Sequence, residues 1–380
     1  MRVFLVAGEP SGDRLGGALM EGLRQLVPNV TFDGIGGYRM EQAGLSSRFP
    51  MEELSVMGIA EILPKYFDLK RRIAETAQAV IDTTPDVLIT IDSPDFSLRV
   101  AKLVKAGSDI RTVHYVSPTV WAWRPGRAKK MARMIDQVLA LFPFEPPYME
   151  AEGIRCDFVG HPVTTEPVAT DAEAEAFRAA HGIGAAPLVL ALPGSRKGEI
   201  ERLADRFGET LSRVVAARPD ARIVLPCAAP VAALVREKAA SWPGQPILID
   251  PAEDGDGCRK RAAFRAANVA LAASGTVSLE LAAAATPMVI AYDMSPLSRA
   301  IISRMLRVDT VTLVNLVAES RTVPEFIGKD CDPARIAPAL LATLDDPGPQ
   351  QEAMALTMER LGQGGEPPGL RAARAVLDGL

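Results

Sequence analysis

Short apolar runs recur along the chain, and nearly every one stops at glycine, proline or serine before a longer stretch of mixed apolar and charged residues. Arg2–Ala7 runs into Gly8-Glu9-Pro10-Ser11-Gly12-Asp13 and then a helical pattern from about Leu15 to Leu26. Residues 30–33 lead into Gly34-Ile35-Gly36-Gly37, 86–91 into Asp92-Ser93-Pro94-Asp95, and 112–116 into a loop carrying Trp121 and Trp123. Residues 137–141 and 156–159 add two more runs, with a helix expected over 129–136. Continuous apolar runs this short suit strands buried on both faces, and strands alternating with helices build doubly wound parallel sheets. The rhythm pauses at Gly160-His161-Pro162 and an acidic, alanine-rich stretch over 164–176. It restarts with Leu188–Leu192, 222–225, 246–249, 269–273 and 287–292. The pattern therefore predicts an α/β chain of two Rossmann-like domains, 1–165 and 166–345, followed by helices over 346–380. A length of 380 residues suits two domains rather than one.

Composition narrows the classes. Hydrophobic residues make up 48% and charged residues 23%, a globular balance, and a net charge of −5 gives no reason to expect nucleic acid. Cys156, Cys227, Cys258 and Cys331 lie far apart, and only His114, His161 and His181 are present. That spacing offers neither a disulfide framework nor a metal site and suits a reduced cytoplasm. The N-terminus reads as a first strand rather than a signal peptide, and no apolar run reaches the ~18 residues of a membrane span. Residues 57–72 crowd Ile62, Leu63, Tyr66 and Phe67 beside Lys65, Lys70, Arg71 and Arg72. An apolar cluster edged with cations fits a bilayer interface, and fits equally a core-facing helix start with a solvated basic rim. Pro64 is expected to break any single long helix there. Residues 294–308, apolar with Arg299, Arg304 and Arg307, form a second candidate surface.

The candidate chemistry sits where strands end. After 269–273, Ser274-Gly275-Thr276 opens a helix whose first N–H groups lack internal partners, with Gly275 allowing a phosphate close approach. Glu280, one turn further, could reach sugar hydroxyls. Alone this reads rather as a capped helix in an ordinary α/β domain. Pro193-Gly194-Ser195-Arg196-Lys197-Gly198-Glu199 repeats the arrangement and adds Arg196, whose guanidinium suits a diphosphate. In the first domain, Asp92 at a strand's carboxyl end is a candidate general base, and Asp95 could orient it or cap the next helix. Glu9 and Asp13 are either helix-start residues or part of a loop facing a polyhydroxy ligand. Trp121, Trp123 and Arg124 suggest a wall for a sugar or acyl chain, although either tryptophan singly is as readily core filling. His161, before a proline at the boundary, reads as structural. Asp254-Gly255-Asp256 has the form of a metal-binding DxD but reads as a turn.

Together these motifs resemble a GT-B glycosyltransferase, and their order narrows the family. GEPSGD at 8–13, SVMGIAE at 55–61, DSPDF at 92–96, HYVSPTVWAWR at 114–124, LPGSR at 192–196, ASGTVSLE at 273–280 and the Asn315 segment follow the order seen in lipid-A-disaccharide synthases. The resemblance covers nearly the whole chain, and the tryptophan motif with GEPSGD is highly specific. The chain departs at Glu325-Phe326-Ile327-Gly328, where similar proteins usually carry Leu-Leu-Gln, and at Thr119, where they carry serine. The resemblance implies two Rossmann-like domains facing a cleft. It implies that UDP-2,3-diacylglucosamine is joined to 2,3-diacylglucosamine 1-phosphate (lipid X) with inversion, giving a β-1,6 disaccharide 1-phosphate and UDP. Asp92 would be the base, with Glu9 holding a hydroxyl and Glu9 or Asp95 the alternatives for the proton. Gly194, Ser195, Arg196, Ser274, Gly275, Thr276, Glu280 and Asn315 would bind UDP, with Glu280 on the ribose. Ser11, Trp121, Trp123 and Arg124 would face the acceptor and its acyl chains. Ile62, Leu63, Tyr66, Phe67, Lys70 and Arg71 would face lipid at the cytoplasmic side of the inner membrane. No cofactor or metal is required. The terminal helices would pack back on an N-terminal domain, their own or that of a second copy in a homodimer. The competing readings are a UDP-N-acetylglucosamine 2-epimerase, a peptidoglycan glycosyltransferase, and a non-catalytic nucleotide-sugar or lipid-binding protein.

Overall fold

The computed structural model describes residues 1–54, 59–122, 126–295, 299 and 308–380, with the backbone alone over 59–66. The chain divides into two compact units, 1–165 with 361–380, and 166–360. Each is built on one parallel six-stranded sheet.

In the first unit the strands are β1 (Arg2–Ala7), β2 (Thr31–Ile35), β3 (Val87–Ile91), β4 (Arg111–Tyr115), β5 (Gln137–Ala140) and β6 (Arg155–Phe158). Their order is β2-β1-β3-β4-β5-β6. The chain winds one way from β1 to β2 and the other from β3 onward, so the switch point lies between β1 and β3, where Ala7 pairs with Ile91. Phe4, Val6 and Leu88 pack with Val80, Val100 and Val104, and further along the same face Val138 and Ala140 pack with Met131 and Met149.

The helix after β1 spans Pro10–Leu26, starting earlier than the apolar pattern suggests because Pro10 supplies a preset φ at its first position. The helix after the 57–58 segment spans Ile59–Thr83 and runs through Pro64, against the expected break. Pro64 lies near the helix start, so one missing N–H leaves the downstream turns with their own bonds. The helix before β5 spans Gly126–Met131 rather than 129–136.

In the second unit the strands are β7 (Leu188–Leu192), β8 (Arg222–Pro226), β9 (Ile247–Ile249), β10 (Val269–Ala272), β11 (Met288–Tyr292) and β12 (Glu325–Ile327). Their order is β12-β11-β10-β7-β8-β9, with the switch point between β7 and β10. Val189, Leu271 and Val289 share one core with Phe207, Leu211 and Leu340 from the covering helices. Thr170 caps the first helix, Asp171–Ala180, in a reciprocal capping box with Glu173.

The C-terminal helices divide between the units. Helix Gly348–Arg360, grouped by the sequence with the returning tail, stays in the second unit. Its buried Gln350 clamps β11, accepting from Met288 N at 2.8 Å and donating to Met288 O at 3.0 Å. Helix Pro368–Leu377 packs along Pro10–Leu26 in the first unit. Glycines make this approach close: a Cβ on Gly369 would lie 2.5 Å from Ala18 O, and one on Gly22 2.7 Å from Gly369 O. Gln137 Nε2 donates to Ala375 O at 2.8 Å, and Arg371 Nη2 to Phe158 O at 3.0 Å, tying the tail to β5 and β6.

Candidate functional site

In the second unit, the loops after β7, β8 and β10 enclose a cavity of about 460 Å³ at the carboxyl ends of the strands, beside the switch point. Ligands of open α/β sheets collect at this position. After β7, Gly194 turns at φ 122°, a conformation that L side chains rarely adopt, and a Cβ there would sit 2.5 Å from Glu199 Oε2. Glu199 folds back on the loop, accepting from Ser195 N at 3.0 Å and Arg196 N at 3.3 Å. Arg196 leads into helix Lys197–Ala217 with its side chain 69% exposed. After β10, Gly275 has φ 152° and open space on its side-chain side. Ser278 Oγ donates to Gly275 O at 2.9 Å and fixes the turn into helix Val277–Ala283. Gly194, Ser195, Arg196, Ser274, Gly275, Thr276 and Glu280 all line this one cavity.

The cavity also contains residues that the sequence did not single out. Pro226, Cys227 and Ala228, at the end of β8 and just beyond it, form a third wall, and Lys260 and Phe264 come from helix Cys258–Ala266. Lys260 Nζ donates to Glu280 Oε2 at 2.7 Å. The Pro226 wall could have been found as the end of the strand beside β7. The Lys260 contact joins two helices and leaves no short-range signal.

Asn315 is not in the lining. It lies buried in helix Leu313–Ala318, donating through Nδ2 to Val323 O at 2.9 Å and accepting at Oδ1 from Val323 N at 3.0 Å. Its side chain closes the 315–323 loop. Glu325, where the family pattern breaks, accepts from Val311 N at 3.0 Å and Thr310 Oγ1 at 2.8 Å through Oε1. Of the Asp254-Gly-Asp256 segment, Asp254 caps helix Cys258–Ala266 by accepting from Arg259 N and Lys260 N, both at 2.9 Å.

In the first unit, Glu9 and Asp92 both follow strands that flank the switch point. Glu9 is the N-cap residue of Pro10–Leu26 and is half-buried. Ser11 is exposed on the first turn of that helix. Asp13 is buried and accepts from Gly37 N, Arg39 N and Met40 N at 2.8, 2.9 and 3.0 Å, so this acid anchors helix Tyr38–Gln42. Asp92 is half-buried with φ 51°, and Ser93 follows at φ 43°. Burial pushes the Asp92 carboxyl above its ordinary range, opposed by the Ser93 backbone N–H. Asp95, on the first turn of helix Pro94–Gly107, is 92% exposed and lies 4.0 Å from Arg127.

Trp121 is buried, edge-on to Phe144 with centroids 5.2 Å apart, and Phe144 stacks on Phe142 at 5.4 Å. This tryptophan is committed to the interior. Trp123 and Arg124 lie outside the described residues, as do most of 294–308 and of the SVMGIAE motif. Beneath the aromatic stack, Glu145 is buried and accepts from Leu141 N and Phe142 N at 3.1 and 3.0 Å. Burial pushes its carboxyl up to about 8 against those bonds. His161 is buried and neutral, pushed down to about 4 by burial, with Nδ1 accepting from Val163 N at 3.1 Å. His114 bonds Thr90 Oγ1 at 2.8 Å through Nδ1 and is likewise pushed down to about 4.

On the helix Ile59–Thr83, Phe67 is 79% exposed and Lys70 is exposed with no ionic partner among the described residues. Arg71 bridges to Glu75 at 3.0 Å and Asp68 at 3.4 Å, and Arg72 to Glu53 at 2.7 Å. Carboxylates thus offset much of the positive rim. The positions Ile62, Leu63 and Tyr66 lie among residues whose side chains are not described. No described helix is long and apolar enough to cross a membrane.

Comparison with known proteins agrees with these features. Residues 3–368 match the family described as lipid-A-disaccharide synthetase. The chain is 67% identical to the lipid-A-disaccharide synthase of Ruegeria pomeroyi, covering 100% of this chain and 96% of that protein. It is 48% identical to that of Rhodospirillum centenum, covering 99% and 94%. Among solved structures, a putative UDP-N-acetylglucosamine 2-epimerase from Listeria monocytogenes matches with a TM-score of 0.62 at 14% identity, covering 99% of this chain and 94% of that one. The UDP-GlcNAc 2-epimerase from Neisseria meningitidis, solved with UDP-GlcNAc, matches with a TM-score of 0.61 at 12% identity, covering 100% and 99%. At such identities the structural matches establish the GT-B fold alone. The protein is a glycosyltransferase of that fold, and it belongs to the lipid-A-disaccharide synthase family.

Proposed function

We propose that this enzyme joins UDP-2,3-diacylglucosamine to 2,3-diacylglucosamine 1-phosphate with inversion, releasing UDP and a β-1,6 disaccharide 1-phosphate. The observation that carries the reading is the second-unit cavity, with two strand-end glycine turns, Gly194 and Gly275, opening onto one space beside Arg196. The lining side chains offer Arg196 and Lys260 against Glu199 and Glu280, so they carry no excess positive charge. Glu199 already holds the Ser195 and Arg196 N–H groups, so anion recognition falls on the exposed guanidinium of Arg196 and on the backbone N–H groups of the Gly275 turn. Those groups would stabilise departing UDP through fixed dipoles and charge.

An inverting displacement needs one base for the acceptor 6-hydroxyl. Asp92 fits that role by its strand-end position and its burial-raised proton affinity, and Glu9 would hold a substrate hydroxyl. The acyl chains of both substrates favour a peripheral position at the cytoplasmic face of the inner membrane, with Phe67 and Lys70 as the described contacts. The disaccharide formed from the two lipids should show a β anomeric coupling by NMR. An α-linked product would contradict inversion. Anionic liposomes at low salt should retain the protein, and the double variant Phe67→Ser, Lys70→Glu should be retained less. Equal retention would remove this face from the membrane contact.

A further inference from the structure

We infer that Lys260 is a positioning residue that sets Glu280 to select a ribonucleotide over a deoxyribonucleotide. The inference deepens the nucleoside-diphosphate reading of the second-unit cavity and rests on it. Three observations fix Lys260. Its backbone N–H is held by the buried Asp254 carboxylate at 2.9 Å, which sets the start and register of helix Cys258–Ala266. Its ammonium lies over the Phe264 ring, 5.1 Å from the centroid. From there Nζ reaches Glu280 Oε2 at 2.7 Å, across 20 residues of sequence and between two helices. Lys260, Phe264 and Glu280 all line the cavity.

Such a pair, with side chains 44% and 36% exposed, contributes little to folding. Its consequence lies in what it does to the carboxylate. One oxygen of Glu280 is taken by the ammonium, and Oε1 has no partner among the described residues. A carboxylate held by one oxygen offers the other in a fixed direction, and a sugar hydroxyl can donate to it. Lys260 also offsets the Glu280 charge, which would otherwise repel a diphosphate within a Debye length.

The test is calorimetric titration of the full-length protein with UDP and with 2′-deoxy-UDP, for wild type, Lys260→Met, Lys260→Arg, Glu280→Gln and the double variant. Wild type should prefer UDP by roughly 10- to 100-fold, the scale of one hydrogen bond to a charged group. Lys260→Met should lose most of that preference, and Lys260→Arg should keep it. In the Glu280→Gln background, Lys260→Met should change the ratio no further. Equal weakening of both nucleotides by Lys260→Met, with an unchanged ratio, would overturn the positioning role while leaving the nucleotide site standing. Failure of wild type to bind either nucleotide would overturn the nucleotide reading and this inference with it.

Discussion

At the carboxyl end of β3, Asp92 and Ser93 hold consecutive left-handed conformations, with φ of 51° and 43°. Each costs of order 1–3 kcal/mol in a non-glycine residue, and such strain concentrates where geometry serves chemistry. The account predicts that Asp92→Asn lowers turnover by about 100-fold or more while UDP affinity stays at the wild-type value. A base must be deprotonated to act, so wild-type turnover should fall as pH drops through the raised Asp92 pKa. Three buried groups set a separate pH dependence for stability. Glu145 titrates at about 8 in the folded chain, above the ordinary 4.5, so its contribution is full below the unfolded value and is lost as pH rises toward about 8. His114 and His161 titrate at about 4, below the ordinary 6.5, so their contribution is lost as pH falls from 6.5 toward about 4. Thermal melts should therefore show Glu145→Gln gaining on wild type as pH rises from about 5 to 8. A constant difference between the two proteins across that range would contradict the buried-acid assignment.

At the scale of elements, the strands were legible because each is a continuous apolar run bounded by a turn residue. The glycine turns at Gly194 and Gly275 were legible because a strand-end glycine before a helix has few other uses. Less legible were contacts between elements. Asn315 looked like a ligand contact, yet its amide is consumed by Val323, eight residues away. Trp121 looked like a wall, yet it is buried edge-on against Phe144. Lys260 carried no signal because its partner is on another helix. The close packing of Pro10–Leu26 on Pro368–Leu377 gives a direct prediction. Gly369→Val should destabilise the first unit by roughly 1–3 kcal/mol, because a Cβ there meets Ala18 O at 2.5 Å. Denaturant titration checks this, and an unchanged midpoint would mean that the tail helix packs elsewhere.

At the scale of the molecule, the repeat of strand, turn and helix specified two parallel sheets, and the pause near 165 coincides with the first end of the second unit. The division of the C-terminal helices at 360/361 was not readable, because it depends on Gln350 bonding β11 and on Arg371 bonding Phe158. The pairing of Arg71 and Arg72 with Glu53, Asp68 and Glu75 was also not readable from the pattern of 57–72. The central claim is glycosyl transfer with Asp92 as base. Its most direct test is UDP release from UDP-2,3-diacylglucosamine in detergent, with and without the monosaccharide 1-phosphate lipid, for wild type and Asp92→Asn. The account predicts release that depends on the acceptor lipid in wild type and collapses in the variant. Release in wild type without the acceptor, or acceptor-dependent release that survives in Asp92→Asn, would contradict it.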